Sequence, residues 1–121
     1  MNVANAKAQM RKGVLEYCIL SVLSESDAYP SDIIRRLKEV RMMVVEGTLY
    51  PLLMRQKNAG WLSYRWEEST QGPPRKYYSI TPAGRLFLHE LDASWNELVD
   101  SVHHLRQRTD NKPSITINNH Q

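Results

Sequence analysis

The sequence has little of what disulfide-stabilised or membrane-spanning proteins contain. Its 121 residues include one cysteine, Cys18, so no disulfide can form within the chain. No apolar run approaches the roughly 18 residues that cross a bilayer, and the segment from Met1 to Lys7 lacks the apolar block of a signal peptide. These absences exclude a membrane span and favour a reducing, cytoplasmic location.

Recognisable catalytic and metal-binding patterns are also lacking. The chain has no glycine-rich phosphate loop, no Gly-x-Ser-x-Gly and no His-Glu-x-x-His segment. His103 and His104 are neighbours in a predicted helix, so they point to different sides of it and cannot chelate a metal together. We therefore expect no enzyme activity, no metal ion and no cofactor.

The size and charge of the chain are compatible with either a DNA-binding or a protein-binding domain. The length fits one domain, and the hydrophobic fraction of 41% is enough for a core. The net charge of +3 permits binding to nucleic acid without requiring it. The positions of the cations therefore matter more than their total.

The first part of the chain shows helical periodicity after a short polar segment. Residues 1–10 are small and polar, which predicts a flexible arm. From Gly13 onward, apolar residues recur with helical spacing and predict a first helix; its stripe is Leu15, Cys18, Ile19, Val22 and Leu23. A second helix is predicted from Pro30, because proline favours the first turn of a helix.

A third helix is predicted over residues 48–59. Thr48 is expected to be its N-cap, which would put Pro51 at the third helical position. Gly60 is expected to end the helix. Helical spacing places one set of side chains on a common inner side, namely Leu49, Leu52, Leu53 and Gln56.

The second half predicts a hairpin followed by a long helix. Residues 61–66 and 75–80 alternate as strands do, and turn-forming residues separate them. Thr81 followed by Pro82 is a strong helix start, and the helix is expected to reach Arg106 or Arg108. Spacings of three and four along it predict a dimer interface of Leu88, Leu91, Trp95, Leu98, Val102 and Leu105.

This order of elements predicts a mainly α protein with a two-stranded antiparallel hairpin, a winged helix-turn-helix with a long C-terminal helix. We expect four segments: the arm, a winged domain over 11–80, a dimerisation helix over 81–108 and a disordered polar tail over 109–121. In helix-turn-helix proteins the second helix of the motif enters the major groove. The predicted DNA-contacting residues are Thr48, Tyr50, Pro51, Arg55, Lys57, Arg75 and Lys76.

Three segments together resemble the PadR family of transcriptional regulators. They are Gly47–Leu53, Arg75–Tyr78 and Thr81–Gly84, and the resemblance covers roughly residues 11–106. It implies a bacterial dimer held by its C-terminal helix, of the smaller subfamily, that represses neighbouring genes from a palindromic promoter site. Small aromatic molecules relieve repression in some members. The chain departs from the family at Ala28, where glycine is common, so we expect a slightly different turn there.

Several alternatives stay open at the level of sequence. Tyr50 fits DNA contact but also packing against the hairpin. Trp95 fits the dimer core and also a stacking surface for a planar aromatic ligand. Arg35, Arg36 and Lys38 fit contact with DNA phosphates and also a merely solvated helix face. The alternative function is a winged helix that binds another protein without specific DNA binding.

Overall fold

The computed structural model describes residues 2–110 and has the predicted fold class. Its elements in chain order are α1 (Val3–Glu25), α2 (Pro30–Glu39), α3 (Glu46–Asn58), β1 (Leu62–Glu67), β2 (Arg75–Ile80) and α4 (Pro82–Asp110). The described residues divide into two compact units, with the division between His89 and Glu90. The first unit contains the helix-turn-helix and the hairpin, and the second contains most of α4.

Helix α1 begins ten residues earlier than predicted, which corrects the expectation of a flexible arm over residues 1–10. Asn2 caps the helix, because its side chain accepts a hydrogen bond from the Asn5 backbone N–H at 2.8 Å. Three alanines follow within two turns, and alanine has the highest helix propensity of all residues. The segment therefore forms a helix although nearly all of its side chains are exposed.

The core of the first unit lies between α1, α2, α3 and the inner face of the hairpin. Its fully buried apolar side chains are Ile19, Leu20, Leu23, Ile33, Leu37, Leu49 and Leu53. Gln56 is also fully buried; its amide nitrogen donates to the Glu16 carbonyl at 3.1 Å. Its amide oxygen has no hydrogen-bond partner among the described residues.

Helices α2 and α3 end in the same way with different residues. The Met42 N–H donates to the Leu37 carbonyl at 2.8 Å, and Arg41 takes the left-handed conformation with φ of 65°. After α3, Gly60 takes that place with φ of 86°, which confirms its predicted role as helix stop. Arginine carries a Cβ that disfavours positive φ, so Arg41 is strained where Gly60 is not.

The start of α3 differs from the prediction. The N-cap is Val45, not Thr48, and the Thr48 N–H donates to the Val45 carbonyl at 3.0 Å. Pro51 therefore lies in the second turn, inside the helix rather than at its third position. Because proline has no N–H, the Gly47 carbonyl loses its usual partner four residues later.

The hairpin follows the predicted inward alternation. Its strands pair antiparallel, with Leu62 opposite Ile80 and Tyr64 opposite Tyr78, and Tyr78 is buried. Ala28 extends the pairing by one bridge, in which its N–H donates to the Tyr78 carbonyl at 3.0 Å.

The start of α4 is fixed against the end of α3. The Thr81 hydroxyl accepts from the Gly84 N–H at 2.9 Å and donates to the Gly60 carbonyl, which confirms Thr81 as the N-cap. The ring of Phe87 stacks on Trp61 with centroids 3.7 Å apart. A Cβ on Gly84 would lie 2.1 Å from the Trp61 carbonyl oxygen, so only glycine fits there.

Helix α4 continues to Asp110, two residues beyond its latest predicted end. The rest of the predicted disordered tail, residues 111–121, lies outside the described residues. Within the described residues, no helix is long and apolar enough to span a membrane.

Candidate nucleic-acid interface

Helix α3 has one buried side and one exposed side. Leu49, Leu53 and Gln56 are buried, as predicted, whereas Leu52, which was predicted to share their side, is only partly buried. The helical repeat puts Gly47, Pro51, Met54 and Asn58 opposite them, and all four are exposed. Because no other element of the first unit covers it, this side is accessible to a ligand.

A groove of about 320 Å³ lies between α3, the start of α2 and the hairpin. It is lined by Pro30, Ser31, Tyr50, Trp66, Arg75 and Lys76, among others. The groove therefore brings together three of the predicted DNA-contacting residues from two separate elements. Tyr50 has 47% of its surface exposed, so it is not packed away against the hairpin.

Arg75 is held by aromatic and hydroxyl groups. Its guanidinium carbon lies 3.8 Å from the centroid of the Tyr29 ring, and its Nη2 donates to the Ser31 hydroxyl at 2.8 Å. Neither partner is an acid, so no carboxylate offsets the positive charge of the guanidinium at the edge of the groove.

Lys76 and Lys57 lie over the rings of the hairpin. The Lys76 ammonium is 4.4 Å from the Tyr64 centroid and 5.5 Å from that of Trp66. The Lys57 ammonium is 5.9 Å from the Tyr64 centroid. Two cations from different elements thus converge on the inner aromatic face of the hairpin, next to the groove.

Arg55 is paired with an acid, whereas Lys57, Arg75 and Lys76 form no ion pair with any of the described residues. Its Nε donates to Glu16 Oε2 at 3.0 Å, and its Nη2 donates to Glu16 Oε1. This hydrogen bonding with Glu16 is the main cause of the raised pKa of Arg55. The guanidinium is largely exposed but lies on the α1 side of α3.

Thr48 and Pro51 are exposed and away from the groove beside the hairpin. Thr48 lines a second groove, of about 430 Å³, with Arg11 and Lys12 of α1 and the connection 42–45. Pro51 lies on the exposed side of α3. The predicted residues of α3 are therefore distributed over its whole exposed surface rather than gathered at one point.

Three other arginines of the first unit form ion pairs with carboxylates. Arg35 contacts Asp32 at 3.2 Å, Arg36 contacts Glu25, and Arg65 contacts Glu67 at 2.7 Å. These pairs fit a solvated helix face for Arg35 and Arg36, the alternative that the sequence left open.

The sequence did not single out Tyr29, Ser31 or Trp66 as part of this surface. Trp66 was expected only to share the inner face of the hairpin with Leu62 and Tyr64. The strand pairing keeps it on that face, but it is 61% exposed because it lies opposite Lys76, near the hairpin end. Alternation gives the face of a strand residue; it does not reveal how far along the strand the core extends.

The predicted interface residues of α4 divide by exposure. Leu88 and Leu91 are partly buried, and Trp95, Leu98, Val102 and Leu105 are 40% to 63% exposed. Exposed apolar side chains that recur along one helix face are typical of a surface that another helix covers.

Two observations concern metal binding and thiol chemistry in the described residues. Among residues 2–110, no group of three or more His, Cys, Asp or Glu side chains could hold a metal ion. Burial raises the pKa of the Cys18 thiol, which keeps it protonated and poorly nucleophilic at neutral pH.

Comparisons with known proteins agree with this architecture. Residues 19–90 match the model of the transcriptional regulator PadR-like family. A PadR-like transcription factor from Bacteroides fragilis is 63% identical, with a TM-score of 0.71, covering 84% of this chain and 98% of that one. PadR-family regulators from Eggerthella lenta and Bacillus cereus are 34% and 38% identical, with TM-scores of 0.80 and 0.72. They cover 85% and 82% of this chain, and 90% and 97% of their own chains.

Members of this family are DNA-binding regulators of transcription and not enzymes. The matched region contains α2, α3 and the hairpin, the elements that form the groove around Tyr50, Arg75 and Lys76. The chain therefore belongs to the PadR-like family of transcriptional regulators.

Proposed function

We propose that this protein represses transcription by binding a palindromic promoter site as a homodimer. The observation that carries the proposal is the groove in which Tyr50 of α3 meets Arg75 and Lys76 of the hairpin. An exposed helix side next to cations held on a hairpin suits a duplex, which presents base edges between two phosphate backbones.

In this proposal α3 enters the major groove and the hairpin binds the adjacent backbone. The exposed side of α3 offers small and flexible groups, so base edges can approach it closely. Arg75 and Lys76 contact phosphates, Tyr50 contributes its hydroxyl, and Thr48, Pro51, Arg55 and Lys57 complete the contact surface. Phosphate contacts of this kind make the affinity fall steeply with salt concentration.

The dimer is proposed to form through α4. The side chains from Leu88 to Leu105 make an apolar seam with spacings of three and four, and its second half is exposed. Two copies related by a twofold axis present two α3 helices to two half-sites, which is why a palindromic sequence is expected.

We further propose that a small planar aromatic molecule relieves repression by binding near Trp95. The Trp95 ring lies in the apolar seam and is 40% exposed. An indole face binds flat apolar or cationic rings by stacking. Quenching of tryptophan fluorescence by a panel of planar aromatic cations, lost in Trp95→Phe, tests this; Trp61 and Trp66 remain as an internal reference.

The decisive experiment is a fluorescence anisotropy titration with the DNA upstream of the gene that encodes this chain. We expect binding at least about a thousandfold tighter than to a scrambled duplex at physiological salt. A promoter–reporter assay in cells then tests whether the bound protein lowers transcription. Equal affinity for both duplexes would contradict a specific regulator and favour the protein-binding alternative.

Matched variants separate DNA contact from general loss of charge. Replacing both Arg75 and Lys76 with alanine removes the cations of the groove, and we expect DNA affinity and repression to fall together. Arg85→Ala removes a cation at the start of α4, where Arg85 donates to the Ser24 carbonyl at the far end of α1. This control is expected to keep wild-type affinity.

A further inference from the structure

The first half of α1 is a helix that bears only positive charge. Lys7, Arg11 and Lys12 are the charged side chains among residues 1–15, and the first acid of the chain is Glu16. All three cations are exposed on a formed helix. Their positions relative to the rest of the fold are therefore set by α1 rather than by a flexible arm.

Arg11 and Lys12 lie beside the N-terminal end of α3. They line the groove of about 430 Å³ that also includes Ala8, the connection 42–45 and Thr48 in the first turn of α3. At 100° per residue, Thr48 and Tyr50 point to nearly opposite flanks of α3. The two cations of α1 and the cations of the hairpin are consequently on opposite flanks of the same helix.

The charges of Arg11 and Lys12 are not neutralised within the described part of the chain. Neither forms an ion pair with any residue in 2–110, whereas Arg35, Arg36 and Arg55 each contact a carboxylate. The connection beside them is apolar, with Met43 and Val45 more than 60% exposed. This flank thus has two solvated cations, and none of the residues that line the groove is an acid that would repel an anion.

We propose that Arg11 and Lys12 form a second phosphate-binding edge for duplex DNA. The proposal rests on the proposed function, in which α3 lies in the major groove. That groove is about 12 Å wide and is bounded by two phosphate backbones. With Arg75 and Lys76 on one backbone, the edge formed by Arg11 and Lys12 binds the other, and α3 is held between the two.

The chemistry of this edge predicts a contribution that does not depend on base sequence. Guanidinium and ammonium groups bind phosphate oxygens, which are the same at every step of the duplex. The edge therefore adds affinity for promoter and scrambled DNA alike. It also fixes the depth and orientation of α3 by holding the protein on both backbones.

The test is the salt dependence of DNA binding by a variant with Arg11→Ala and Lys12→Ala. Two lost phosphate contacts make the slope of log K against log salt less negative by roughly 1.8. At about 100 mM salt the affinity then falls by roughly 10- to 60-fold on both duplexes. Alanine favours helix at these exposed positions, so circular dichroism is expected to be unchanged.

Two further variants make the result specific. Exchanging the two cations, with Arg11→Lys and Lys12→Arg, is expected to keep the wild-type slope. Arg85→Ala removes one cation of α4, which donates to the Ser24 carbonyl of α1. Ser24 is about 18 Å from Lys12 along α1, at 1.5 Å per residue, so this variant is also expected to keep the wild-type slope. A wild-type slope in the double alanine variant, with wild-type DNA binding intact, overturns this inference alone. Absence of DNA binding by the wild-type protein overturns the proposed function and this inference with it.

Discussion

Arg55 of α3 binds both carboxylate oxygens of Glu16, a residue of α1 that lies 39 positions earlier in the chain. The pair ties the proposed recognition helix to α1 at the boundary of the surface that we assign to DNA. The carboxylate both holds Arg55 in place and puts a negative charge close to where phosphates would lie.

Glu16→Gln is expected to tighten DNA binding. The substitution removes a negative charge and frees the Arg55 guanidinium for phosphate, so we expect roughly three- to tenfold higher affinity at low salt for any sequence. Anisotropy titrations with promoter and scrambled duplexes measure it. The matched control is Glu25→Gln, which removes a carboxylate from the same helix, α1, and breaks its pair with Arg36 of α2. Unchanged affinity for Glu16→Gln would show that Arg55 does not reach DNA.

Trp66→Ala is expected to weaken DNA binding without unfolding the protein. The ring is 61% exposed in the groove and carries Lys76 above it, so its loss removes an apolar contact and the support of a cation. We expect roughly five- to twentyfold lower promoter affinity and a nearly unchanged Tm. Leu86→Ala, which removes another exposed apolar side chain, is the control. A large drop in Tm for Trp66→Ala would mean a structural role instead.

Gly84→Ala and Gly13→Ala are expected to change stability in opposite directions. A Cβ on Gly84 would overlap the Trp61 carbonyl oxygen, so the start of α4 must shift at a cost of about 1–3 kcal/mol. Gly13 lies within α1 with nothing within 4 Å of an added Cβ, so alanine there stabilises by about 0.5–1 kcal/mol. Urea unfolding of both variants measures the difference. Stabilisation by Gly84→Ala would show that Gly84 does not lie this close to the Trp61 carbonyl in solution.

Arg41→Gly is expected to stabilise the protein by about 0.5–1 kcal/mol. Arg41 ends α2 with φ of 65°, a conformation that a Cβ disfavours and glycine adopts freely. Arg41→Ala removes the same charge but keeps a Cβ, so it is not expected to stabilise. Thermal and urea unfolding compare the two. Equal stability of both variants would show that the turn relaxes without strain.

A variant with Leu98→Glu and Leu105→Glu is expected to be monomeric. Both side chains are more than half exposed and lie one heptad apart in the proposed seam, where two buried carboxylates would be strongly unfavourable. The control carries Asn96→Glu and His103→Glu, also one heptad apart but on the opposite side of α4. Sedimentation velocity distinguishes monomer from dimer. If the variant with both leucines replaced stays dimeric, the dimer interface does not lie on this seam.

Local signals predicted much of the fold. The apolar stripe of α1, the glycine stop after α3, the Thr81 cap and the alternation of the hairpin all depend on residues a few positions apart. Each is confirmed, except that in α1 Cys18 is only partly buried and Leu20 is buried in addition. Two local signals were misleading. Thr48 is a good capping residue but lies in the first turn, because the backbone already turns at Val45. The polar start of the chain forms a helix, because alanine content and the Asn2 cap outweigh its lack of an apolar stripe.

The sequence alone determined which elements form, in what order, and which cations belong to α3 and the hairpin. It had no means of showing which of those cations are neutralised, since Arg55 and Glu16 lie far apart in the chain and meet only when α3 packs on α1. The same packing puts Arg11 and Lys12 beside Thr48 and gathers Tyr50, Trp66 and Arg75 around one groove. Helical and strand periods fix the side of an element that a residue occupies. Only the tertiary contacts decide what that side faces.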